Sequence, residues 1–187
     1  MSDGHAPSGT TFYLNNGVAA DVKKFSDAKL FYAHTGMVFT FCDVKVEVLF
    51  SADDLYIAEP YEGYGTTLID FNNSSLVTRV YNDDASMLLL GDAGDTAAYR
   101  MLMYYGNYLK SDMVQISHHG VEDFPLSVYN YIKASILFYP CDQYLYDLTN
   151  RDNDVRKALA QSQYTKEILL HDKQRHTRYF ADIAAAQ

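Results

Sequence analysis

Along "VKVEVLF" (residues 44–50) apolar side chains alternate with charged ones, the period of two that marks a half-buried strand. With its upstream neighbour, "VFTFCDVKVEVLF" predicts two strands, preceded by a strand at "AKLFYA" and a turn at "HTGM". "NNSSLVTRVYNDDASMLLLGD" predicts a hairpin: first strand "SLVTRVY", turn "NDDA", second strand "SMLLL". "GD" then breaks the strand and is a usual opening for a helix. "TAAYRMLMYYGNYL" carries apolar residues at helical spacing, and "DMVQISHHG" reads as a strand running into a loop. The rest reads as helix "FPLSVYNYIKA", buried strand "SILFYP", helix "DVRKALAQSQY", and a closing hairpin of "EILLHD" and "TRYFADI". A short helix is expected at 17–28, and a loop at "SADDLYIAEPYEGYGTTLID".

Strands and hairpins come first, and helices then alternate with strands. That order predicts one α+β unit, or layered α/β, with a mixed sheet flanked by helices. No internal repeat or linker divides the chain. Residues 1–16 read as a flexible polar leader, and 17–187 as a single domain.

Composition narrows the function classes. The 187 residues are 48 % apolar, enough for a sizeable core. The formal net charge of -9 disfavours a generic phosphate-backbone binder, which needs clustered Lys and Arg. It leaves room for a nuclease whose metals carry positive charge locally. Cys42 and Cys141 could form one disulfide, but read more readily as two free thiols in a reducing compartment. No apolar run reaches the roughly 18 residues needed to span a bilayer, and the polar start lacks signal-peptide regions. The expected location is cytoplasmic.

Candidate chemistry gathers at two strand ends. "LLLGD" places Asp92 just past a buried strand, and "VQISHHG" does the same for His118 and His119. If those strands are neighbours, both ends open on one edge. Carboxylate oxygen and imidazole nitrogen suit zinc, manganese or iron, and one Asp can bridge two ions. Each ligand has a glycine beside it for a sharp turn. Taken alone, "GD" is more often a helix cap, and "HHG" fits a metal site and a plain turn equally. His34 reads as a hydrogen-bonding turn residue, and His171 and His176 as solvated residues flanking a hairpin tip. The acidic loop with Asp53, Asp54, Glu59 and Glu62 reads as solvated, or as a lid.

The ordered set "NNSSLV", "SMLLLGD" and "SDMVQISHHG" resembles the C-terminal half of the metallo-β-lactamase superfamily. The likeness is nearest to the branch of the competence DNA-uptake channel protein's soluble domain and the phosphorylcholine esterase. That branch shows "NNxSLV", "LLTGD" and "ADVLKVxHHGS" in the same order. The resemblance covers roughly residues 25–182. It implies part of an αββα sandwich and a metal-dependent hydrolase of phosphodiester or related ester bonds. It also implies two zinc ions in the complete fold, with manganese an alternative. Asp92 would bridge the ions. One of His118 and His119, with His118 slightly favoured, would ligate the second, and the other would orient it or touch substrate. Asn72 or Asn73 would hold a substrate oxygen or the loop backbone. The substrate would be a phosphorylated small molecule or glycan, or nucleic acid.

The departures are as informative. The superfamily's His-x-His-x-Asp-His signature is absent, the Ser that usually follows "HHG" is Val121, and "DLTNRDND" stands where relatives carry a histidine-bearing loop. One explanation is a C-terminal piece of a longer protein whose N-terminal half supplies the missing ligands. The other is a degenerate, non-catalytic binding or assembly module. Either way the isolated chain is expected to be inactive. Half a sandwich would leave one sheet face bare, to be covered by the missing half or by a homodimer partner.

Overall fold

The computed structural model describes Lys24, Asp27, Asn72 and residues 33–51, 75–120, 124–150 and 154–171. Contacts divide the chain into two compact units, Met1–Ala33 and His34–Gln187, each described by itself. In the first, Lys24 is helical, within the helix expected at 17–28. The strand expected at 28–33, the acidic loop and the final "TRYFADI" strand lie outside the described residues, apart from Ala33 and Ser51.

The second unit is built on a seven-stranded sheet, and its strands lie side by side in sequence order. β1 (Val38–Phe41) and β2 (Val44–Phe50) form a hairpin whose turn places Cys42 at φ 56. β2 continues antiparallel to β3 (Val77–Tyr81), and β3 to β4 (Ser86–Leu89). At β4 the direction changes. β5 (Met113–Gln115), β6 (Ile136–Tyr139) and β7 (Glu167–Leu170) all run parallel to it.

Parallel neighbours need crossovers, and helices supply them. α1 (Asp95–Tyr105), followed by a short 3-10 turn at Gly106–Leu109, links β4 to β5. α2 (Leu126–Ile132) links β5 to β6. α3 (Gln143–Asn150) and α4 (Asp154–Ala160) lie between β6 and β7. The expected α+β class, a mixed sheet flanked by helices, is what the chain forms.

Alternation along the strands gives the sheet two apolar faces. On one, Leu88, Val114 and Leu137 meet Ala97, Ala98 and Met101 of α1, Val128 and Ile132 of α2, and Leu159 of α4 in the main core. Met113 and Ile136 point the other way and form a second cluster with Ala85 and Leu169, supported by Met87 and Phe138. Ile136 is only 1 % exposed and Met113 6 %. The expectation of a bare face therefore fails at the middle of the sheet: both faces are packed there.

Among the described residues no helix is long and apolar enough to cross a membrane. Cys42 and Cys141 are both free, the first exposed and the second buried, as expected.

Candidate functional site

Asp92 and the two histidines come together because β4 and β5 are parallel neighbours: Leu89 pairs with Gln115, so both chains leave the sheet at the same edge. The two exits are stitched to each other. The His118 N–H donates to the Gly91 carbonyl at 3.0 Å. The side chain of Gln115, itself buried, bridges the strand ends. Its Oε1 accepts from the N–H of Leu90 at 3.0 Å and of Gly91 at 2.8 Å, and its amide donates to the Gly91 and Ile116 carbonyls. Ser75 accepts the Asp92 N–H at 3.1 Å, and Ser117 donates its hydroxyl to the Ala93 carbonyl at 2.6 Å.

The helix-cap reading of Asp92 does not hold. α1 has Gly94 at its N-cap and no side-chain cap bond, so the Asp92 carboxylate does not cap it. It faces His119. Oδ1 of Asp92 and Nε2 of His119 are 3.9 Å apart, with the two side chains 48 % and 46 % exposed. The other ring nitrogen of His119, Nδ1, lies 2.7 Å from the Pro140 carbonyl. A carbonyl can only accept, so Nδ1 carries the proton. In the neutral ring that leaves the Nε2 lone pair turned toward the carboxylate. A ring nitrogen fixed by a backbone carbonyl, with the other free to coordinate, is the usual arrangement of a metal-binding histidine.

His118 points elsewhere. Its Nδ1 is 3.4 Å from the Asn72 amide nitrogen, and the two imidazole centroids are 6.3 Å apart. The sequence leaned slightly to His118 as the ligand; it is His119 that the fold sets against Asp92. Asn72 is brought to the site across 46 residues of sequence, and Asn73 lies outside the described residues.

The turn that carries the histidines is strained. His118 (φ 47, ψ 46) and His119 (φ 56, ψ 11) both sit in the left-handed region, followed by Gly120 at φ 74. Each non-glycine residue there costs about 1 kcal/mol or more, and such strain concentrates where geometry matters. Gly120 is also crowded: a Cβ would come within 2.7 Å of the Arg156 guanidinium and 2.8 Å of the Tyr139 ring. Beneath the turn, burial pushes the phenols of Tyr129 and Tyr139 well above the usual tyrosine range. Burial also raises the Cys141 thiol, against an opposing pull from Arg156.

Sequence reading missed four residues here: Gln115, Ser75, Ser117 and Arg156. Two left a signal. Gln115 is a polar residue inside an otherwise apolar strand, "MVQI", and Arg156 is a charge on the same helical stripe as buried Leu159.

As a metal site the arrangement is partial. Two ligands of one tetrahedral zinc, each at about 2.0–2.1 Å, stand about 3.3 Å apart. Asp92 and His119, at 3.9 Å, stand somewhat wider than that spacing. Among the described residues no group of three or more His, Cys, Asp or Glu is placed to hold an ion. His34 is the turn residue expected, its carbonyl accepting the Met37 N–H at 3.0 Å, and exposed His171 follows β7. His5 and His176 lie outside the described residues.

No family model matches the chain, and no curated protein matches it.

Proposed function

We propose that this chain carries one side of the active site of a metal-dependent hydrolase of the metallo-β-lactamase kind, acting on phosphodiester or related ester bonds. The observation that carries the reading is the pair Asp92 and His119. They face each other across the ends of adjacent parallel strands, with the Pro140 carbonyl engaging Nδ1 of His119 and so leaving Nε2 available to a metal. Carboxylate oxygen and imidazole nitrogen together suit zinc or manganese. The order of "NNSSLV", "LLLGD" and "SHHG" supports the same reading, as does a sheet with apolar side chains on both faces.

The chain's own residues do three things in this reading. Asp92 and His119 supply two donors. Gln115 and Ser75 fix the backbone from which Asp92 projects. Asn72, beside His118, offers an amide to a substrate oxygen. A bound ion would act as a Lewis acid toward the scissile ester and lower the pKa of a water. The remaining ligands would come from outside the described residues or from a homodimer partner. A non-catalytic binding module is the second reading, favoured by the absence of a third ligand among the described residues.

The test is metal content by plasma mass spectrometry on untagged protein after zinc loading and dialysis, beside Asp92→Ala and His119→Ala. Hydrolysis of bis(p-nitrophenyl) phosphate is followed in the same samples. Zinc retained by the parent chain and lost in both variants supports the metal site. Chelator-sensitive hydrolysis by the parent would show that the chain, alone or as a dimer, completes it. Zinc retention unchanged in both variants would overturn the assignment and leave the binding module.

A further inference from the structure

Arg156 is the least expected side chain in the core. It projects from α4, is 1 % exposed, and is among the largest fully buried side chains of the described chain. A buried guanidinium is costly unless its hydrogens are satisfied. Here they are spent on main-chain carbonyls. Nη2 donates to the His119 carbonyl at 2.7 Å, Nε to the Gly120 carbonyl at 2.6 Å, and Nη1 to the Tyr146 carbonyl at 3.0 Å. The rings of Tyr139 and Tyr146 lie 5.2 and 5.3 Å from the guanidinium carbon, within cation–π range.

The two shortest bonds fall on the histidine turn itself. The His119 and Gly120 carbonyls belong to the stretch whose φ values are all positive. An L-residue pair at such angles returns to ordinary regions unless something holds its carbonyls. The rigid planar fork of Arg holds two adjacent carbonyls in a fixed relative geometry, which the compact, freely rotating ammonium of Lys does not impose. The absence of a side chain at Gly120 makes room for that fork.

We infer that Arg156 is a positioning residue. Its guanidinium clamps the His119–Gly120 backbone in the left-handed turn, and so holds the His119 ring on the Pro140 carbonyl with Nε2 turned to Asp92. The purpose rests on the proposed metal site. The clamp itself does not, and its test needs no metal.

The test is the long-range 1H–15N spectrum of the histidine rings in the metal-free full chain, with His119 assigned by its loss in His119→Ala. The parent chain shows His119 as the Nδ1-protonated tautomer. Arg156→Lys keeps the charge and loses the fork, and Arg156→Gln keeps donors without charge. With the cooperative melt retained, both shift His119 toward the commoner Nε2-protonated form and leave the His34 and His171 signals in place. If zinc is retained by the parent, the variants weaken it about 10- to 100-fold. An unchanged His119 tautomer in folded variants would overturn the inference. Loss of the cooperative fold in both would assign Arg156 to the core instead, and overturn it equally. A shifted tautomer alongside zinc retention that ignores Asp92 and His119 would leave the clamp standing and reject the metal site.

Discussion

The Gln115 carboxamide closes a ring of hydrogen bonds with the backbone of Gly91, accepting its N–H at 2.8 Å and donating to its carbonyl at 3.2 Å. One buried side chain thus reads both backbone groups of the residue before Asp92, and it also satisfies Leu90 and Ile116. Gln115→Leu keeps the volume and orphans these groups. Buried unsatisfied polar groups cost about 1–3 kcal/mol each, less where water or small shifts relieve them. The expected loss is about 3 kcal/mol in a urea melt. Gln115→Glu should lose at least as much, because its second oxygen would face the Gly91 and Ile116 carbonyls, acceptor against acceptor, in a buried setting.

Gly120 is held by two constraints at once. Its φ of 74 disfavours any side chain, and a Cβ would meet Arg156 and Tyr139 at under 3 Å. Neither neighbour is a loose chain end, since the guanidinium is bonded to three carbonyls. Gly120→Ala should therefore cost about 3 kcal/mol, adding backbone strain to overpacking. Differential scanning calorimetry against the parent chain reads it directly. A melt within a degree of the parent would mean the turn relaxes freely.

Much of this was legible in the sequence, for physical reasons. The alternation in "VKVEVLF" and the turn residues "NDDA" are local signals, and the antiparallel half followed from them. "LLLGD" and "SHHG" sat at strand ends and pointed to one edge. α3 is less legible: "QYLYDLTN" does place Tyr144, Leu145 and Leu148 at helical spacing, but it is short and runs into the polar "DLTNRDND". Its start was nevertheless written: Asp142 caps it, accepting the Leu145 N–H at 2.8 Å, and Gln143 bonds Asp147 one turn on. Which histidine faces Asp92 was not legible. That depends on two consecutive left-handed residues, which nothing in "SHHG" demands, and on an arginine 37 positions away.

Alternation also misplaces Glu47. As a charged residue of a half-buried strand it belongs on the wet side, yet it pairs with buried Arg79 at 2.9 Å, its side chain only 13 % exposed. Tyr108 closes over the pair. Its hydroxyl reaches Glu47, its carbonyl accepts from Arg79 at 2.7 Å, and its ring lies 4.0 Å from the guanidinium. Removing one partner strands the other charge, so Arg79→Met should cost about 3 kcal/mol. The double variant Arg79→Met with Glu47→Met should recover much of it. A double-mutant cycle in urea measures the difference, and additive losses would show that the pair is not coupled.

Alkaline stability should depend most strongly on the two phenols that burial raises furthest. Tyr129 is buried beneath the site, packs on Phe124 at 4.9 Å between ring centroids, and accepts the Ser117 N–H at 3.1 Å. Tyr139 is fully buried, and its hydroxyl has no hydrogen-bond partner among the described residues. For both, burial is the main cause of the raised pKa. Arg156 opposes it in both, and the Ser117 N–H opposes it at Tyr129. The folded chain therefore keeps these protons above pH 10, where an unfolded tyrosine releases them. Unfolding then releases protons, and the linkage relation makes stability fall with rising pH. Below about pH 10 both states are protonated and the two groups contribute no slope. Absorbance at 295 nm should show these two phenols ionising together with the loss of far-UV circular dichroism, not before it. In Tyr139→Phe, which removes a hydroxyl without a described partner, the fall should be shallower and neutral-pH stability nearly unchanged. Tyr129→Phe also flattens the fall, but strands the Ser117 N–H and should cost about 1–2 kcal/mol at neutral pH. Ionisation of every tyrosine while the fold persists would show that water reaches the floor of the histidine turn.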